Sequence, residues 1–207
     1  VVSRGHRLFS DELVITSAND YSSILEKAGV QVDRSTRRSF IKKLISDEAT
    51  QHNYFPELSD KLLDELTDLV ESPSLVCGEF DKSFLNLPSE VLTTVMQVHQ
   101  RYIPLRSAEN TNVDPLSFDS INDLEPLFFC ISNGLTSANS NIKKGNERVL
   151  KARLSDAKFF VEADLSVSCE DRRERLAGVS FAKGLGSLLD RVHRIEWLVE
   201  TLNTLIS

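Results

Sequence analysis

Apolar positions recur along this chain first at strand spacing and then at helix spacing. Leu8-Phe9 and Leu13-Val14-Ile15 predict short strands. Asp20 is placed to cap a helix running toward Ala28, with Gly29 as its stop. Val30 and Val32 alternate around Gln31 as a strand would, and Asp33 caps a second helix whose Phe40, Ile41, Leu44 and Ile45 share one stripe. The opening unit therefore reads strand, helix, strand, helix. Ser59 begins a third helix, with Leu62, Leu63, Leu66, Leu69 and Val70 on its dry side and Pro73 as its end. A strand follows over residues 75–80. Ser89, after Pro88, caps a helix that buries Val91, Leu92, Val95 and Met96.

Tyr102-Ile103-Pro104-Leu105 starts another strand, and residues 107–123 read as an acidic loop. Leu127-Phe128-Phe129-Cys130-Ile131 is a continuous apolar run that fits a buried strand. Residues 146–164 predict one long helix, with Leu150, Leu154, Ala157 and Val161 on its buried face. After Leu165 the strand signal ends. A charged helix over residues 169–177 stops near Gly178, and Gly184 and Gly186 turn the chain into a last helix striped by Leu188, Leu189, Val192, Ile195, Val199, Leu202 and Ile206. The pattern predicts an α+β domain over residues 1–165 and an all-helical segment over 166–207. The stripe of the last helix is large for its segment, so its packing partners are expected beyond Ser207.

Composition adds bounds. The chain has 207 residues, 41% hydrophobic and 27% charged, as globular proteins do. Its apolar runs are too short to cross a bilayer, and no signal-peptide pattern follows Arg4, His6 and Arg7. It opens Val1-Val2 without a Met, as an excised piece would. Cys77, Cys130 and Cys169 are an odd number at wide spacing, which reads as buried free thiols in a reducing cytoplasm. No CxxC or HxxxH pair is present, so no metal site is expected.

Net charge is −7, which argues against a general nucleic-acid coat. Residues 143–158 reverse that sign locally. They hold six basic residues, Lys143, Lys144, Arg148, Lys151, Arg153 and Lys158, against the two acidic residues Glu147 and Asp156. Lys144 and Arg148 are four apart and Arg148 and Lys151 three, so a helix sets them on one side. Such a stripe could meet phosphates; it could equally be a solvated face paired with acidic neighbours, and charge alone does not choose.

Phosphate-loop and dinucleotide glycine patterns are absent, Gly184-Leu185-Gly186 reads as a turn between helices, and no nucleophile elbow occurs. His6, His52, His99 and His193 are scattered and read as surface or packing residues. His99 carries slightly more weight, since it stands with Gln100, Arg101 and Tyr102 where a helix gives way to a strand; complementing the helix dipole is the alternative role.

The segment Gly145-Asn146-Glu147-Arg148-Val149-Leu150-Lys151-Ala152-Arg153-Leu154-Ser155-Asp156-Ala157-Lys158-Phe159-Phe160, closing at Asp164, resembles the GNERVL-x-ARLSDA-x-FF stretch of the beta subunit of bacterial glycyl-tRNA synthetase. Other segments agree in order. Ser3-Arg4-Gly5-His6-Arg7 resembles its RGHR, and Ala18-Asn19-Asp20-Tyr21 its ADDY with Asn19 for the usual Asp. Residues 90–102 are similar to its EVL…HQKYF, Phe129 to Asn133 to its F-x-x-ISN, and residues 183–188 to its KLGTLYDK, where Leu189 stands for the usual Tyr.

The resemblance implies an internal fragment of a beta chain in an enzyme of two alpha and two beta chains, a cytoplasmic ligase that attaches glycine to tRNA(Gly). The alpha chain of that family carries the site for glycine, ATP and Mg2+, so no catalytic residue, cofactor or metal is expected in this fragment. The beta chain supplies tRNA binding and subunit scaffolding, and the last helix resembles the entrance to an HD-type helical region. The candidates for tRNA contact are Lys143, Lys144, Arg148, Lys151, Arg153 and His99. A hydrolytic editing-type domain and a purely structural alpha–beta contact module are the alternatives; glycine's small size lessens the need for a second sieve.

Overall fold

The computed structural model describes residues 1–8, 10–107 and 123–206. The chain parts into two compact units, Val1–Lys158 and Phe159–Ser207. The architecture is α+β and ends in a long C-terminal helix.

In the first unit, β1 (Val2–Arg4) and β2 (Glu12–Val14) form an antiparallel pair, with Val2 opposite Val14. Leu8 lies in a turn rather than a strand, and Phe9 lies outside the described residues. Helix α1 (Tyr21–Lys27) forms where expected and stops at Gly29, whose φ of 83° suits a residue without Cβ. Its entry differs, because Ser17 caps a preceding 3₁₀ turn by accepting the Asn19 N–H, while the Asp20 side chain caps nothing. Residues 30–33 are not a strand. Gln31 makes one backbone bond, its N–H donating to the Glu71 carbonyl at 2.9 Å, and no ladder follows.

Helix α2 (Arg34–His52) starts at Asp33, whose carboxylate accepts the Thr36 N–H at 2.7 Å. It ends at Asn53 in the left-handed region. After β3 (Phe55–Pro56), helix α3 (Asp60–Leu69) is capped by Ser59. Strands β4 (Pro73–Glu79), β5 (Ile103–Arg106) and β6 (Leu124–Asn133) complete an antiparallel sheet of order β3-β5-β6-β4, so β4 is an edge. Between β4 and β5 stand a 3₁₀ turn over Lys82–Asn86 and helix α4 (Ser89–Thr94), which runs into a π-helical turn over Val95–His99. Ser89 is the first residue of α4 rather than its cap, and its side chain makes no capping bond. The loop predicted over residues 107–123 falls mostly on 108–122, outside the described residues.

Successive residues of β6 face opposite layers. Phe129 joins Ile41 and Ile45 of α2, Leu63 and Leu66 of α3, and Ile103 and Leu105 in one core. Leu69 and Phe40, expected on those stripes, are exposed. Phe128 turns to the other face, where Tyr102 stacks on it with centroids 4.6 Å apart. Gly78 lies opposite Phe128 in register, and a Cβ there would clash with the Cζ end of the ring.

Helix α5 (Asn139–Leu165) starts earlier than the sequence pattern suggested. It fully buries Leu150 and Leu154, each stabilising by about 1.5–3 kcal/mol, whereas Ala157 and Val161 are only half-buried. Of the cysteines, Cys130 is buried, Cys77 half-buried and Cys169 exposed, so the expectation of three buried thiols holds for one.

In the second unit, α6 (Cys169–Arg175) is capped by Ser168. Strands β7 (Ser180–Ala182) and β8 (Gly186–Ser187) then form a small antiparallel ribbon where a turn between helices was expected. The segment is thus helical apart from this ribbon. Gly184 and Gly186, at φ 80° and 79°, let the chain reverse within three residues. The last helix, α7 (Leu188–Ile206), has no fully buried residue, and Trp197 is 62% exposed. Among the described residues no helix is long and apolar enough to cross a membrane.

Candidate functional site

The first half of α5 lies along the sheet edge and satisfies groups that edge strand β4 leaves unpaired. Asn139 donates to the Leu75 carbonyl at 3.1 Å and accepts the Ser74 hydroxyl at 3.2 Å. Two turns on, Glu147 accepts the Glu79 N–H at 3.0 Å. Asn146 donates to the Cys130 sulfur at 2.9 Å, which places this helix on the Phe128 and Cys130 face of the sheet. Lys143 stands between the carboxylates of Glu79 and Glu147, at 3.7 and 3.5 Å. Asn146, Glu147 and Lys143 therefore seat the helix and cover a sheet edge that would otherwise offer a row of open hydrogen-bonding groups.

The seating decides which cations remain. Lys144, Arg148 and Lys151 are exposed and recur at intervals of four and three, so they form one outward stripe. Arg153 is exposed too, but two residues beyond Lys151 is about 200° around the helix, which puts it on another face. Among the described residues none of these four has an ion-pair partner. Lys143 is half-buried and already paired. Pairing with acidic neighbours, one of the two roles that charge left open, describes Lys143.

One carboxylate stands near the stripe. The Asp81 carboxyl is held below its ordinary range chiefly by hydrogen bonds from Ser83, with smaller contributions from Lys151 and Lys158. Gly145, beside Lys144, has nothing within 4 Å of where a Cβ would stand. Packing does not require a glycine there. In a helix interior it costs about 1 kcal/mol relative to Ala.

His99 is exposed at the end of the π-helical turn, on a different element. Its neighbours do converge on α5. Gln100, Arg101, Tyr102, Cys130, Ser132 and Asn146 are among the residues lining a cleft of about 330 Å³. Arg101 has a left-handed backbone, φ 57°, and its guanidinium is held by Glu65 at 3.2 Å and the Val98 carbonyl at 2.5 Å. Burial pushes the Tyr102 hydroxyl up to about 12, so it stays protonated. Among the described residues no three His, Cys, Asp or Glu side chains gather as a metal-ligating group.

Sequence reasoning did not single out Asn139, Asn146 and Glu147 as the groups that orient the stripe. Their partners lie 64, 16 and 68 residues away, beyond the reach of any helical period. The signal available was their polarity beside the buried face of an otherwise apolar stripe.

Comparison with known proteins bears on the whole chain. The sequence profile of the family described as glycyl-tRNA synthetase beta subunit matches residues 1–206. The glycine–tRNA ligase beta subunit of Natranaerobius thermophilus is 40% identical over 97% of this chain and 28% of its own length. That of Trichodesmium erythraeum is 42% identical over 93% of this chain and 26% of its own. That of Bacillus subtilis is 36% identical over 97% of this chain and 28% of its own. The chain thus spans little more than a quarter of these relatives.

Proposed function

The chain belongs to the glycyl-tRNA synthetase beta-subunit family, and on that premise we propose that it supplies a tRNA-contacting surface to the ATP-dependent attachment of glycine to tRNA(Gly). The contact is the α5 stripe of Lys144, Arg148 and Lys151. The observation that carries this reading is the division of labour along one helix. Lys143, Asn146 and Glu147 are consumed in fixing α5 to β4 and β6, while among the described residues the three outward cations form no ion pair. Cations held on a rigid element and left unneutralised are suited to phosphates. Gly145 adds an open stretch of backbone where a phosphate chain can approach closely.

In this proposal the residues of this chain perform no bond chemistry. Glycine, ATP and Mg2+ are handled by an alpha chain, in a cytoplasmic assembly of two alpha and two beta chains, and this segment helps to hold the tRNA. The test is glycylation by the full-length beta chain with its alpha partner after Arg148→Glu and Lys151→Glu. Loss of activity through a raised KM for tRNA supports the role, and unchanged kinetics refute it.

A contact role is the second reading, favoured by the exposed apolar side chains of α7. Ile195, Trp197, Leu198 and Leu202 of this one helix each leave about half or more of their surface exposed. A patch of that kind suits burial against another part of the synthetase. Substituting Trp197→Ser and Leu198→Ser in the full-length chain would then weaken assembly with alpha without altering the salt dependence of tRNA binding.

A further inference from the structure

The unit Phe159–Ser207 holds a second concentration of positive charge. Between Arg172 and Arg194 the sequence has six basic residues and two acidic ones, Glu174 and Asp190, in a chain of net −7. These side chains come from α6, the β7–β8 ribbon and the first turns of α7.

Part of this charge is committed. Arg172 bonds Asp164 at 3.1 Å, and Arg173 bonds Glu196 at 2.5 Å. The rest is displayed. Arg194 donates to the Leu185 carbonyl at 3.0 Å, which pins the ribbon tip, and its charge also helps to hold the Asp190 carboxyl down. The Arg191 guanidinium lies 4.7 Å over the ring of Phe181, itself exposed. Among the described residues, Arg175, Lys183 and Arg191 have no carboxylate partner. The Asp190 carboxylate, beside Gly186, is occupied by the Ser187 N–H at 2.7 Å and hydroxyl at 2.8 Å. At the tip itself, nothing lies within 4 Å of where a Cβ on Gly184 would stand.

We propose that the β7–β8 ribbon and the flanking turn of α7 form a second RNA-contacting surface, carried wholly by this C-terminal unit. Lys183, Arg191 and Arg194 meet the sugar-phosphate backbone, and Phe181 offers a base the exposed part of its ring that Arg191 does not cover. Cations interleaved with an exposed aromatic are the combination that binds unpaired nucleotides, charge tracking the backbone and the ring meeting a base. An acidic protein surface would use the charges but leave Phe181 and the open glycine tip without a role. The inference rests on the reading that this chain meets tRNA, but on none of the α5 residues.

The test uses the full-length beta chain assembled with its alpha partner, and labelled tRNA(Gly) titrated by fluorescence anisotropy over a series of KCl concentrations. Lys183→Glu with Arg191→Gln weakens binding about tenfold at low salt and reduces the log–log salt slope by about two. Lys183→Gln, an exposed change on the tip, reduces that slope by about one and serves if the double variant does not fold. Phe181→Leu loses several-fold affinity with the slope unchanged. An unaltered affinity and slope in Lys183→Gln and in a folded double variant overturns the proposal. Weakened association with the alpha chain at unchanged RNA affinity also overturns it, in favour of an acidic protein surface. Arg148→Glu with Lys151→Glu, measured in parallel, reports on α5 alone, so failure of one surface is separable from failure of the other.

Discussion

His6 and Asn133 are 127 residues apart in sequence and meet at 3.1 Å, the His6 Nε2–H donating to the Asn133 side-chain oxygen. The same oxygen accepts the N–H groups of Glu71 at 3.0 Å and Ser72 at 2.9 Å. The other ring nitrogen, Nδ1, accepts the Leu8 N–H at 3.4 Å, a pattern that fits a proton on Nε2. His6 is fully buried. One contact thus ties the N-terminal strand pair, the link between α3 and β4, and the end of β6.

Removing either partner should therefore cost more than one hydrogen bond. His6→Ala leaves a cavity, and Asn133→Ala strands the His6 and Ser72 donors inside the fold and releases the exposed Glu71 N–H. Each should destabilise by about 2–4 kcal/mol. The double variant should fall short of the sum by about 1 kcal/mol or more, read from urea unfolding. Strict additivity would show that the two residues act separately.

Much of the fold was legible because its causes are local. Asp33 before an apolar stripe and Ser59 before Leu62 announce helix starts within four residues, and the run from Leu127 to Ile131 announces a central strand. What depends on distant partners was not. Val30 and Val32 alternate like a strand, but Gln31 finds one backbone partner at Glu71 and no ladder. The β7–β8 ribbon has strands of three and two residues, too short to show a period of two. The basic stripe was visible as spacing. That Lys143 is consumed by Glu79 and Glu147 needed the edge of a sheet 64 residues back in sequence.

Acid should act on α2 through its cap. Hydrogen bonds from Ser35 first, then Thr36, hold the Asp33 carboxyl down to about 2 in the folded chain. A carboxyl depressed by folding stabilises above its unfolded range near pH 4, and that contribution is lost as pH falls toward 2. Asp33→Asn keeps a competent cap, so its melting temperature should respond less to pH over that window than the wild type's. Equal responses would remove Asp33 from the acid sensitivity.

Two glycines should behave in opposite ways. Gly78→Ala drives a methyl into the Phe128 ring and should destabilise by about 2 kcal/mol or more. Gly145→Ala meets nothing and should stabilise α5 by about 0.5–1 kcal/mol. If the open backbone at Gly145 serves RNA, the stabler variant should also bind tRNA(Gly) less tightly. Thermal melts and anisotropy on the same preparation check both.

Thiol labelling should follow burial. Burial pushes the Cys130 thiol up to about 11, and raises Cys77 as well, so neither forms much thiolate near neutrality. Cys169 is exposed at the start of α6. Iodoacetamide at neutral pH should modify Cys169 first, with Cys77 and Cys130 following only on unfolding; mass spectrometry of the digested protein reads the order.

The most direct measurement of the central claim is the salt dependence of tRNA(Gly) binding by the assembled synthetase carrying Arg148→Glu and Lys151→Glu in its full-length beta chain. If α5 meets phosphates, affinity falls about tenfold or more and the log–log salt slope shrinks by about two. Arg153→Glu, on another face of the same helix, leaves both nearly unchanged. An unaltered slope for the Arg148 and Lys151 pair, or an equal loss from Arg153→Glu, would contradict the assignment of the stripe.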